Sequence, residues 1–140
     1  MKKSSKKWII LALCIVALCV LCFFHWRNSL KIAANQVVKI QFGNSPTSTG
    51  FNAEDTEKFI KLFNSAKYAG KGTGEGGTPD IEIFVYYKDG SYLKVHEFSG
   101  IGQDFEAFHR DPNGKQKSWY YLKSEELEAF VLEMQDKFRK

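Results

Sequence analysis

Apolar residues follow three rhythms along this chain, and each predicts a different kind of element. Residues 8–24 are apolar without a break. A hydrocarbon core about 30 Å thick is crossed by about 20 helical residues. Residues 8–26 approach that length, with Trp8 and Trp26 at the two ends, where interfacial indoles sit. This stretch predicts a transmembrane anchor.

The second rhythm has a period of two. Val38, Ile40 and Phe42 alternate with Lys39 and Gln41, which predicts a half-buried strand ended by the polar stretch 44–50. Ile81, Ile83 and Val85 face Leu93 and Val95 across Asp89-Gly90, which predicts a hairpin. A two-residue turn would set Val85 opposite Lys94 and mix core with charge. A three-residue loop over Lys88, Asp89 and Gly90, with Gly90 as the bulge, sets Val85 opposite Leu93 and Ile83 opposite Val95. The reverse face then carries Glu82, Phe84, Tyr86, Tyr92, Lys94 and His96. Residues 104–110 and 117–122 flank the turn sequence Asp111-Pro112-Asn113-Gly114. They predict a second hairpin with Trp119 and Tyr121 facing Phe105 and Ala107.

The third rhythm is helical. Asn52 is placed to cap a helix over 53–66, with Glu54 and Asp55 in its first turn and Phe59, Leu62, Phe63 and Ala66 along one stripe. Ser124 opens a second such helix, whose stripe is Leu127, Phe130, Val131, Met134 and Phe138. The order strand, helix, about four strands, helix predicts an α+β domain (β-α-β-β-β-β-α) with an antiparallel sheet and both helices on one face.

Charge fixes an expected orientation. Lys2, Lys3, Lys6 and Lys7 precede the apolar run, and no acidic residue occurs before Glu54. A basic inner tail over 1–7, an anchor over 8–26, a linker over 27–35 and an extracytoplasmic domain over 36–140 follow from the positive-inside rule. A cleaved signal sequence shares the basic start. However, its apolar region runs about 7–15 residues to a small-residue site, whereas here Phe23, Phe24, His25, Trp26 and Arg27 close the run. Setting the four tail lysines aside leaves 16 basic residues against 16 acidic ones. The domain is thus near neutral, without the clustered basic face of a nucleic-acid binder. Cys14, Cys19 and Cys22 all lie in the apolar run and read as small hydrophobes, with an acyl or disulfide attachment at Cys22 as the alternative. The rest of the chain has no cysteine, so its stability has to come from a packed core.

Little local chemistry accompanies this architecture. Gly72, Gly74 and Gly77 satisfy a dinucleotide pattern formally, but a helix precedes them and a strand follows, the reverse of the order such a site needs. The stretch 70–77 is expected to be a flexible connector or mobile lip. His96 is expected opposite Glu82, an imidazole–carboxylate contact that lacks the third ligand of a catalytic zinc site. Asp111-Pro112-Asn113-Gly114 lacks the later carboxylates of a calcium loop. None of the serines lies in a nucleophile elbow. No catalytic residue, metal or cofactor is expected.

The chain resembles the small, uncharacterised single-pass proteins that low-GC Gram-positive bacteria display outside the membrane. The resemblance rests on MKKSSKKW with its apolar span, followed by VVKIQF, EDTEKFIKLFNSAK, IEIFVYYKDGSYLKV and WYYLKSEELEAFV. It implies a membrane-tethered module and assigns no reaction. The expected function is non-catalytic binding of an extracytoplasmic protein or cell-envelope partner through Glu82, Phe84, Tyr86, Tyr92, Lys94 and His96. An immunity or inhibitor protein against a secreted toxin or hydrolase is the second reading. A cell-envelope hydrolase or metal-dependent enzyme is the third.

Overall fold

The computed structural model describes residues 3–43, 49–73, 81–100 and 103–138. The polar break expected at 44–50 lies outside them over 44–48, and so does the glycine-rich stretch 70–77 from residue 74 onward. The chain divides into two compact units, residues 1–31 and 32–140. The first is helix α1, Lys3–Ser29, in which residues 6–29 are long and apolar enough to cross a membrane.

The second unit is α+β. Strand β1 (Val37–Phe42) leads to helix α2 (Ala53–Ser65), followed by β2 (Lys67–Lys71), β3 (Glu82–Tyr87), β4 (Tyr92–Gly100), β5 (Gln103–Arg110), β6 (Gln116–Lys123) and helix α3 (Glu125–Phe138). All pairings are antiparallel in the order β1-β3-β4-β5-β6-β2. The packing of this unit begins within the stretch read as a linker. Ile32 is buried, its N–H donates to Asn64 Oδ1 at 2.7 Å, and its carbonyl accepts from Asn64 Nδ2 at 2.9 Å.

The helix starts are those the caps predict. Asn52 Oδ1 accepts the Asp55 N–H at 2.8 Å, and Ser124 Oγ accepts the Leu127 N–H at 3.1 Å. Phe59, Ile60 and Phe63 of α2 are buried, as are Leu127, Phe130, Val131 and Met134 of α3. They cover Ile40, Ile83, Val85, Leu93, Val95, Phe105, Ala107, Tyr120 and Leu122 on one face of the sheet. Phe51 bridges the two helices, meeting Phe59 at 5.8 Å and Phe130 at 6.2 Å between ring centroids.

The first hairpin has the bulged register, with Val85 opposite Leu93 and Ile83 opposite Val95. The Gly90 N–H donates to the Tyr87 carbonyl at 3.1 Å, and Gly90 takes φ +84°, a left-handed conformation that glycine adopts at no steric cost.

Three local expectations are corrected. An additional strand, β2, follows α2 directly and forms one sheet edge. Val38 is a bulge residue between Val37 and Lys39 and stands 62% exposed, so only Ile40 and Phe42 of its alternating set face inward. The second hairpin is shifted by one residue. Arg110 pairs with Gln116 but His109 pairs with Ser118, leaving Lys117 unpaired between them. That one extra residue exchanges the faces of everything beyond it. Trp119 and Tyr121 therefore lie opposite Phe108 and Glu106, while Tyr120 and Leu122 turn to the core beside Ala107 and Phe105.

His109 lies near the turn end of this hairpin, edge-on to the Tyr87 ring at 5.7 Å. Burial lowers its pKa from the ordinary 6.5, only partly opposed by Asp89 and Asp111. The folded domain thus disfavours the imidazolium that the unfolded chain accepts. The resulting stability is complete above pH 6.5 and is lost as pH falls from there through the lower pKa of the folded state. His109→Asn should flatten the decline in melting temperature between about pH 7 and pH 5; an unchanged slope would place the titration elsewhere.

Candidate functional site

The candidate site is the sheet face that neither α2 nor α3 covers. Strand parity places Glu82, Phe84 and Tyr86 of β3 there, opposite His96, Lys94 and Tyr92 of β4 respectively. All six residues singled out from the sequence therefore share one face and three cross-strand pairs. Phe84 and His96 are buried, and Glu82, Tyr86, Tyr92 and Lys94 are half-buried.

Phe84, Tyr86 and Tyr92 form a triangle of rings. Their centroids lie 6.1 Å apart for Phe84–Tyr86 and Phe84–Tyr92, and 6.2 Å apart for Tyr86–Tyr92. Phe84 and Tyr86 stack, while Tyr92 tilts 39° from Tyr86. Lys39 Nζ lies 4.8 Å from the Tyr86 ring centre, and Lys94 Nζ lies 5.9 Å from that of Phe84, both within cation–π range. Burial, and secondarily the neighbouring Tyr92, push the Tyr86 phenol above its ordinary pKa. It therefore remains a hydrogen-bond donor at neutral pH.

Next to this triangle is a polar network that the sequence reading does not contain. His96 was expected to meet Glu82, its cross-strand partner. Instead Glu82 pairs with Lys94, and His96 Nε2 lies 2.5 Å from Glu106 Oε2 on β5. The Trp119 indole N–H donates to the other oxygen, Glu106 Oε1. Glu106 is only 2% exposed, so this carboxylate is held by side chains rather than by water. Phe108 closes over the pair, its ring 5.2 Å from that of His96 and stacked on Trp119 at 5.1 Å.

Trp119 also roofs the start of the β2–β3 connection. The Gly72 N–H donates to the Trp119 carbonyl at 2.9 Å. A Cβ on Gly72 would come within 2.0 Å of the indole, so only glycine fits beneath it. Thr73 adds two contacts to the Tyr121 hydroxyl, from its N–H at 3.2 Å and its Oγ1 at 3.1 Å.

No family model, no curated protein and no solved structure matches this chain. Its function has to be read from the site itself. Both Glu106 oxygens and His96 Nε2 are engaged. His96 Nδ1 is sealed from solvent and has no hydrogen-bond partner among the described residues. Among those residues no group of three or more His, Cys, Asp or Glu side chains is arranged to hold a metal ion. The Glu106–His96–Trp119 network holds aromatic side chains in place. Tyr86, Tyr92, Lys39 and Lys94 do face outward.

Sequence reasoning missed Glu106, Phe108 and Trp119 as members of this face. Glu106 carries a legible signal, since it alternates with Phe105 and Ala107. Its burial depends on Trp119, and the Lys117 bulge that turns Trp119 to this side leaves no mark in the sequence.

Proposed function

We propose that this chain is a membrane-tethered, non-catalytic binding module. Its globular unit lies outside the cell and holds a protein or cell-envelope partner against the helix-free face of the sheet. The lysine-rich start before a membrane-length helix supports the orientation. One observation carries the binding reading: two half-exposed tyrosines, Tyr86 and Tyr92, stand on a buried phenylalanine, Phe84, on the face that the fold does not use for its helical core. Aromatic side chains on a rigid floor lose little conformational entropy on binding and commonly dominate interface energy. The Lys94–Glu82 ion pair at the rim adds orientation more than affinity.

Replacing Tyr86 and Tyr92 together by serine is expected to abolish partner capture in the native host while leaving the melting transition of the domain within a few degrees. Chemical cross-linking on intact cells, followed by purification of the full-length chain, reads the first. Circular dichroism of the detergent-solubilised protein reads the second. A variant that melts with wild-type cooperativity and still captures the same partner would remove these tyrosines from the interface. A variant that unfolds would make them part of the core.

A further inference from the structure

The half-exposed tyrosines belong to a longer row. Lys39 on β1 pairs with Tyr86 on β3, Tyr86 pairs with Tyr92 on β4, and Tyr92 pairs with Arg110 on β5. Four side chains on four adjacent strands thus form one line across the helix-free face, with a cation at each end. Three strand spacings of about 4.8 Å put the two cationic positions roughly 14 Å apart.

The charges around this row are unbalanced. Lys94, one step away, is already paired with Glu82. Among the described residues, no carboxylate lies within ion-pairing distance of Lys39 or Arg110. The two acids nearest in sequence to the ends of the strands are occupied. Asp89 Oδ1 accepts from the Ser91 N–H and hydroxyl at 2.9 and 2.6 Å. Asp111 accepts the Asn113 and Lys115 N–H groups at 3.0 and 2.9 Å and meets Lys117 at 3.3 Å. These contacts hold both carboxyls below their ordinary pKa, committed to their own turns. Arg110 is steadied by a 2.8 Å hydrogen bond from Nη1 to the Gly114 carbonyl, so its guanidinium is placed before any partner arrives.

From this row we infer the chemistry of the partner: an extended, acidic segment of a protein, whose carboxylates meet Lys39 and Arg110 while an apolar side chain between them settles on Tyr86 and Tyr92. This rests on the reading of the helix-free face as the contact surface. An extended peptide advances about 3.4 Å per residue, so acids about four residues apart span the row. The tilt of 39° between the two phenol rings makes a trough for a side chain rather than the coplanar shelf on which sugar rings stack. A carboxylate also meets the planar fork of Arg110 with two parallel bonds.

The test uses the full-length chain in nanodiscs and two pools of short synthetic peptides. One pool carries Glu at positions about four residues apart around a phenylalanine; the other has Lys at the same positions. Titrations are read by isothermal calorimetry. The Glu pool should bind at least about tenfold more tightly than the Lys pool, and its affinity should fall by about tenfold between ~50 and ~500 mM salt. Lys39→Glu with Arg110→Glu should weaken Glu-pool binding by about tenfold or more. Lys88→Glu, an equal charge change per residue on an exposed turn lysine outside the row, should stay within about twofold. Equal binding of both pools, or an equal loss in Lys88→Glu, would overturn the inference. So would preferential binding of an anionic polysaccharide such as hyaluronate over the Glu pool. A photo-cross-linker at position 92 separates the two layers. Partner adducts on cells without any Glu-pool preference defeat the acidic-segment inference and leave the contact surface standing; absence of adducts defeats both.

Discussion

Glu106→Ala lowers the stability of the globular unit by about 2–5 kcal/mol, because two buried side chains lose their hydrogen-bond partner at about 1–3 kcal/mol each. The deleted carboxylate leaves the Trp119 indole N–H and His96 Nε2 without their shared partner at a position that is only 2% exposed. Glu106→Gln keeps an acceptor for the indole and mismatches only the imidazole, so about 1–2 kcal/mol is expected. Trp8, Trp26 and Trp119 are the only tryptophans, and the indole N–H of Trp119 is therefore a separable NMR signal. It should move upfield in both variants as its hydrogen bond to Glu106 is lost or weakened. Gly72→Ala should move the same signal by a different route, since the added methyl takes the space of the indole itself. Chemical unfolding of Glu106→Ala at the wild-type denaturant midpoint would show that the network contributes nothing.

Deletion of Lys117 is the second large effect. Removing the unpaired residue of the bulge drives Trp119 and Tyr121 toward the helical core and turns Tyr120 and Leu122 outward. Tyr120 and Leu122 are 3% and 5% exposed, and each large apolar side chain brought to water costs about 2–3 kcal/mol. Together with the steric conflict of an indole in a filled core, this approaches the about 5–15 kcal/mol that holds a typical domain folded. The deletion should therefore abolish cooperative unfolding. Lys117→Ala, which keeps the extra residue and removes an exposed side chain with its surface ion pair to Asp111, should change stability by less than about 1 kcal/mol. A deletion variant that still melts cooperatively near the wild-type temperature would mean that the turn at 111–115 absorbs the missing residue and that the bulge does not set the register.

The contrast between Glu106 and Phe84 marks what can be read from such a sequence. Phe84 was placed correctly because the period-two alternation of β3 and β4 runs unbroken, and a glycine at position 90 announces the bulge at the turn. The helices were equally legible, since Asn52 and Ser124 are side-chain caps ahead of clean apolar stripes. The bulges at Val38 and Lys117 were not, because neither contains a glycine and nothing in local composition marks an extra residue within a strand. Strand β2 escaped notice for a related reason. Its five residues carry only Tyr68 and Ala69 between lysines and a glycine, and pairing with β6 supplies what its composition does not. The partner of His96 is not legible in the sequence, because directly opposed strand positions need not be side-chain partners. Here the imidazole turns away from β3 to β5, where Glu106 is already fixed by Trp119.

Site-specific photo-cross-linking on intact cells tests the central claim most directly. A benzophenone amino acid at position 92, on the helix-free face, should give a discrete adduct with an extracytoplasmic component. The same group at position 132, an exposed site on α3, should give none. Adducts of equal yield from both positions, or from position 132 alone, would contradict the assignment of the contact surface to the face bearing Tyr86 and Tyr92.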